Sequence, residues 1–380
     1  MQLLSDNKDR LGYYLVGWKK IYSKTQALIE SKKSGYDLIW IFNDFVYDKI
    51  NWTIPIETNL LELYKRRAQQ LREKYDYIIL YFSGGCDSGN ALHAFLDNNI
   101  FIDEIVIHEI DVFKKKANDK DNSNENFYSE IEYAANSHLR KIKNLINPKT
   151  KITYQDFTKK SLTSLEKEHW LDTSTINFSI NISAVLRQLN LTKDEFHLNL
   201  FNKDKTCAHI LGVDKPLVYN DGRDYFCYFS DAATYHYMTP IEFSDDVDQS
   251  TNFTEYFYWT PDMPEIIVKQ AQELKKYYES NPHIQYMARA SINKHISEYR
   301  NIIHPTVYPP YVVEPFQAEK PPIAIYRPMD TWFWETANKT SQENYLNGIR
   351  QLGNYMDNKH FIKGQIEYGL YAHRSKMYKL

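Results

Sequence analysis

Six consecutive residues, Ser83-Gly84-Gly85-Cys86-Asp87-Ser88, carry the densest chemistry in the chain. Gly84 and Gly85 lack a β-carbon, so their backbone reaches dihedrals closed to other residues and their N–H groups can come close to a phosphate. Ser83 and Ser88 add hydroxyl donors. Asp87 suits the cap of a helix. Cys86 reads either as a small tolerated side chain or as a nucleophile.

The flanking residues say how this turn is held. Tyr75-Asp76-Tyr77-Ile78-Ile79-Leu80-Tyr81-Phe82 is a strand-like apolar run, and Leu92, Phe95 and Leu96 recur at helical spacing after the turn. A strand therefore breaks into a helix at residues 83–88. The helix N-terminus brings N–H groups and the positive end of its dipole to the same point, which favours an anion. A second strand is expected at Ile102–Ile110, a helix over about 125–146 and a third strand at Lys151–Tyr154. This alternation predicts an α/β fold with a parallel sheet and helices on both faces.

No Gly-Lys-Ser/Thr follows the glycines and the dinucleotide spacing is absent. The hexamer instead resembles the PP-loop of the N-type ATP pyrophosphatases, Ser-Gly-Gly-x-Asp-Ser after the first strand, and every specified position matches. The resemblance implies a Rossmann-like (HUP-type) domain that binds ATP through Ser83, Gly84, Gly85, Cys86, Asp87 and Ser88, with Asp87 on Mg²⁺. It is specific at this hexamer and general over about residues 75–235. It also implies that the end of the second strand lines the adenine or ribose pocket. His108 falls there, and equally suits a local hydrogen bond at a strand end.

A PP-loop has no lysine of its own, so a cation must reach the leaving pyrophosphate from elsewhere. Lys215 and Arg223 are the candidates, in a second Gly-containing segment, Gly212-Val213-Asp214-Lys215-Pro216, followed by a hairpin that turns at Asp221-Gly222. Both also read as surface charges flanking a turn. Tyr258 and Trp259, before a helix that Pro264 opens, read as a pocket wall or as packing between domains.

Three segments are expected: an N-terminal extension over 1–56, the PP-loop α/β domain over 57–240, and a largely helical and aromatic extension over 241–380. Within the second, Leu61, Tyr64, Ala68 and Leu71 predict the buried stripe of a helix, with Lys65, Arg66, Arg67 and Arg72 in solvent. Pro305, Pro309, Pro310 and Pro315 predict an extended linker. The basic tail from Tyr371 to Leu380 reads as a docking segment or as a cover over phosphate.

The chain has 380 residues and a formal net charge of −3, with no basic block, so the charge balance does not indicate a nucleic-acid partner. Its three cysteines, Cys86, Cys207 and Cys227, are too scattered for a disulfide framework or a zinc knuckle, which points to a reduced, cytoplasmic setting. No segment has the length and apolarity of a membrane span, so no membrane partner is expected. The abundance of Tyr, Asn, Lys and Ile fits an AT-rich genome and would suit a phage as well as a bacterium; for a phage the setting is the host cytoplasm. Homo-oligomerisation is left open.

The expected activity is ATP-dependent adenylylation, ATP to AMP and pyrophosphate. It would activate a carboxylate, amide or carbonyl of a small-molecule acceptor for attack by an amine, ammonia or sulfide. Asp87 and Lys215 are the expected catalytic residues, and ATP and Mg²⁺ the expected ligands. No cysteine precedes the loop and Gln2 stands at the second position, so no glutaminase is expected. Rival readings are a phosphoadenylylsulfate-type reductase, which would need a redox cysteine near the C-terminus that nothing after Cys227 supplies, a nucleobase- or tRNA-modifying enzyme, and an ATP-binding sensor or assembly protein without turnover.

Overall fold

A computed structural model describes residues 7–109, 130–156, 165, 205–231, 251–285, 303–309, 328–355 and 372–380. The chain opens on a small antiparallel sheet of β1 (Tyr13–Val16), β2 (Lys19–Ile21) and β3 (Leu38–Ile41), in the order β2-β1-β3. Between β2 and β3 runs α1 (Lys24–Ser34), whose Ser23 hydroxyl caps the N–H of Gln26. The single turn α2 (Asp44–Tyr47) follows.

Next come α3 (Leu60–Lys74), β4 (Tyr77–Tyr81), α4 (Cys86–Leu96) and β5 (Glu104–Glu109). A π-helical stretch, Glu130–Asn136, leads into α5 (Ser137–Lys141) and β6 (Lys151–Asp156). Strand β7 (Cys207–Leu211) precedes the hairpin of β8 (Leu217–Asn220) and β9 (Tyr225–Tyr228), and β10 (Asn252–Tyr256) precedes α6 (Glu265–Ser280). Helices α7 (Pro328–Thr336) and α8 (Lys339–Tyr355) and strand β11 (Tyr378–Lys379) complete the described elements. Among the described residues, no helix is long and apolar enough to cross a membrane.

Five strands form one all-parallel sheet in the order β10-β7-β4-β5-β6. The chain builds outward from β4 to β6, then returns to place β7 on the other side of β4. That reversal is the topological switch point of an open α/β sheet, outside whose carboxyl strand ends ligands bind. The architecture is an α/β, Rossmann-like core. Ile78, Ile79 and Leu80 of β4 and all of β7 are buried, as strands covered on both faces must be. The expected boundary at residue 240 cuts through this sheet, because β10 lies beyond it. One continuous hydrophobic core also runs from Leu11 to Leu380, through all three expected segments.

Helix α3 corrects the expected stripe. Leu60, Leu63, Tyr64, Arg67, Ala68 and Leu71 face inward, whereas Leu61 is half exposed. Arg67, expected in solvent, is fully buried and sits 2.8 Å from Glu255 of β10, also donating to the carbonyl of Tyr256. Arg72 reaches Asp103 at 2.6 Å. A long cation can share an apolar stripe when a buried carboxylate waits at its tip, and the pattern of apolar residues does not reveal that carboxylate.

The expected linker also changes. Residues 303–307 are helical and include Pro305; Pro310 and Pro315 lie outside the described residues. The basic tail docks: β11 pairs antiparallel with β9, Tyr378 stacks on Trp52 at 4.8 Å, and Lys376 meets Asp48 at 2.6 Å. Trp259 packs against Phe42 and Phe229, at 5.7 and 5.0 Å between ring centroids.

Candidate functional site

The Ser-Gly-Gly turn leaves β4 at the switch point. Gly84 adopts φ +78°, and a β-carbon there would lie 2.4 Å from the backbone nitrogen of Ala135, so the position takes only glycine. Gly85 caps α4 without a side-chain acceptor, leaving the first N–H groups of the helix for other partners. Ser88 ties the turn together. Its hydroxyl accepts from the backbone N–H of Ser83 at 3.2 Å and lies 3.2 Å from the Ser83 hydroxyl.

Three strand ends converge on this turn. As β7 ends, Gly212 passes so close to α4 that a β-carbon there would lie 2.8 Å from the nitrogen of Ser88 and 2.9 Å from the carbonyl carbon of Asp87. That approach delivers Asp214 and Lys215. The Lys215 ammonium stands 2.6 and 2.7 Å from the two carboxylate oxygens of Asp87 and 3.0 Å from Asp214 Oδ1. After β10, the Tyr258 hydroxyl donates to the backbone carbonyl of Asp87 at 2.8 Å and accepts from Asn90 at 2.9 Å.

A fourth element closes over the same residues. Tyr308 donates its hydroxyl to Asp87 Oδ1 at 2.5 Å, and His304, one helical turn earlier, places Nδ1 3.0 Å from the sulfur of Cys86. Lys215, Tyr258, Tyr308, Cys86 and His304 are all buried. Burial alone would lower the Lys215 ammonium, yet Asp214 and Asp87 outweigh it and hold the group well above its ordinary value. Burial, reinforced by the charge of Asp87, pushes the Tyr258 and Tyr308 phenols up, so both remain donors.

The turn thus brings together Ser83, Gly84, Gly85, Cys86, Asp87, Ser88 and Lys215. It does not bring Arg223, which is exposed at the tip of the β8–β9 hairpin, its N–H donating to Asp221 at 2.8 Å. His108 stands near the end of β5, with Nε2 3.1 Å from Gln155 Oε1 and its ring 5.3 Å from that of Tyr81. The Tyr81 ring also lies 6.1 Å from His209 of β7, its hydroxyl 3.1 Å from His209 Nδ1. An aromatic and imidazole row therefore crosses β5, β4 and β7. His209, Asp214, His304 and Tyr308 escaped the sequence reading. Asp214 carried a signal, as the neighbour of a candidate lysine after a strand-end glycine; His304 and Tyr308 carried none.

No family model matches this chain, and no curated protein matches it either.

Proposed function

We propose that this protein is an ATP-dependent adenylylating enzyme of the PP-loop (HUP) kind, cleaving ATP between its α- and β-phosphates. The observation that carries the reading is Lys215 seated on Asp87 at a Ser-Gly-Gly turn, at the switch point of a parallel sheet. A loop without its own lysine has one delivered by the neighbouring strand.

The chain's groups fit the ligand. Gly84, Gly85 and the start of α4 offer N–H groups to a pyrophosphate, and the Ser83 and Ser88 hydroxyls add donors. Lys215 meets charge that develops on the leaving pyrophosphate, and on moving there it releases the carboxylate of Asp87. A single carboxylate suffices for Mg²⁺, which takes one or two protein carboxylates together with substrate phosphates; Mg²⁺ held by Asp87 would neutralise phosphate charge. Tyr258 keeps the Asp87 backbone in place through that exchange. Tyr81 and His108, both half-buried, offer a surface for the base or the acceptor, with His209 buried behind Tyr81. The acceptor is a small molecule with a carboxylate, amide or carbonyl oxygen, and the attacking group an amine, ammonia or sulfide.

A second reading, ATP binding without turnover, draws support from the saturation of Asp87 by Lys215 and Tyr308. ATP labelled at the α-phosphate, incubated with Mg²⁺ and a small-molecule extract, separates the two. Labelled AMP with pyrophosphate supports adenylylation. Tight binding without cleavage supports the second reading, and labelled ADP overturns the mechanism.

A further inference from the structure

We propose that His93 of α4 and His138 of α5 bind a divalent transition metal of the Zn²⁺ class, an ion distinct from any held with nucleotide phosphates. Their Nε2 atoms face each other at 3.1 Å. Two nitrogens about 2.0–2.1 Å from one metal, at an angle between about 90° and 109°, stand about 2.8–3.4 Å apart. The pair is therefore set at chelating distance before any ion arrives.

The second nitrogen of His93 decides which atom is offered. Nδ1 lies 3.2 Å from both carboxylate oxygens of Asp97, one helical turn on. A proton held there leaves the Nε2 lone pair facing His138, the arrangement in which a carboxylate orients a metal-binding imidazole and makes it more basic. His138 is buried, whereas the His93 side chain is 24% exposed, so an ion and its water reach the pair from the His93 side. Among the described residues, no third His, Cys, Asp or Glu completes a cage. Water then fills the other positions, and the ion remains exchangeable. Imidazole suits Zn²⁺, Cu²⁺ and Ni²⁺, whereas Mg²⁺ prefers oxygen ligands.

The pair sits where an ion has a consequence. His138 lies three positions after Ala135, the residue whose backbone a β-carbon on Gly84 would strike. Its ring also stands 5.7 Å from that of Phe82, the last residue before the turn. Ala135 belongs to the π-helical stretch Glu130–Asn136, a geometry often found at functional sites. An ion tying α5 to α4 thus holds that stretch against Gly84 and stiffens the seat of the turn. The inference stands without the nucleotide reading, since neither ligand belongs to residues 83–88.

The test strips the full-length protein with a chelator and adds zinc chloride. Binding is followed by calorimetry, and the reaction of each histidine with diethyl pyrocarbonate by peptide mass spectrometry. One Zn²⁺ is expected to bind and to suppress the reaction of His93 while sparing the exposed His283; Mg²⁺ should do neither. His138→Gln should abolish both effects. Asp97→Asn alters a half-exposed side chain, so it probes the same site with the core intact, and should weaken Zn²⁺ binding about 10–100-fold. No binding of Zn²⁺, binding that leaves His93 reactive, or an affinity that neither substitution lowers overturns the site and leaves the pair a simple N–H···N hydrogen bond. Protection of His93 in a protein that never binds ATP upholds the site and counts only against the nucleotide reading.

Discussion

Asp87 and Lys215, 128 positions apart, meet so closely that both carboxylate oxygens lie within 2.7 Å of one ammonium. Gly212 makes the meeting possible, since any side chain there would strike the first turn of α4. The same carboxylate also holds Tyr308. In the resting turn Asp87 is thus held by both a lysine and a tyrosine, and under the proposed function an incoming phosphate would have to reopen that set.

Replacing Lys215 by Met leaves Asp87 and Asp214 facing each other without a cation. Because the Asp87 side chain is 30% exposed, the stability loss should be about 2 kcal/mol rather than the larger cost of a wholly buried pair. Turnover should fall at least about a hundredfold. Asp87→Asn and Ser83→Ala should abolish it. Urea unfolding and release of labelled AMP check the two effects, and wild-type turnover in both loop variants would remove the site assignment.

Tyr308→Phe removes one donor to Asp87 and leaves Lys215 in place. A hydrogen bond to a charged group is worth about 1.5–3 kcal/mol, so the folded state should lose roughly that much. If release of Asp87 limits Mg²⁺ use, the Mg²⁺ concentration giving half-maximal AMP formation should drop. A rise would show that Tyr308 instead holds the productive geometry.

Gly84→Ala should be more harmful than Gly35→Ala. Both glycines have positive φ, but a β-carbon at position 35 meets open space whereas one at position 84 collides with the backbone around Ala135. Gly35→Ala should cost about 1–2 kcal/mol from backbone strain alone, and Gly84→Ala clearly more, with loss of nucleotide binding. Equal melting temperatures for the two variants would contradict the close approach.

Acid should expose the buried network around Glu255. Burial opposes its charge, but Arg67, Arg10 and Lys74 overcome that and hold the carboxyl well below the usual range. The unfolded chain therefore binds the proton first. The stabilisation is complete above about pH 4.3, the ordinary glutamate value, and drains away as pH falls from there toward the folded value. Glu255→Gln leaves Arg67 buried without its anion, so it should cost about 3 kcal/mol at neutral pH and flatten the loss between about pH 3 and 5. Urea midpoints across that range provide the check.

Much of the fold was legible because it is written locally. The apolar run before Ser83, the glycines after it and the Asp221-Gly222 turn each report the conformation of their own few residues, and the structure places β4, α4 and the β8–β9 hairpin there. Lys215 was singled out by a chemical argument, that a loop proposed to bind phosphate carries no cation of its own, and the structure places it on Asp87. Arg67 shows the limit. Its neighbours announce an amphipathic helix, but the charge that draws it inward sits on Glu255, 188 positions away.

The sequence by itself determined the strand, the glycine turn and the helix, because backbone freedom and apolar periodicity act between near neighbours. Only the tertiary structure decided that β10 completes the sheet, that Gly212 admits Lys215 to Asp87, and that His304 and Tyr308 close over Cys86 and Asp87. Those are meetings of groups through space. Sheet order and packing set them, and no periodicity in the chain encodes which distant side chain fills a given gap.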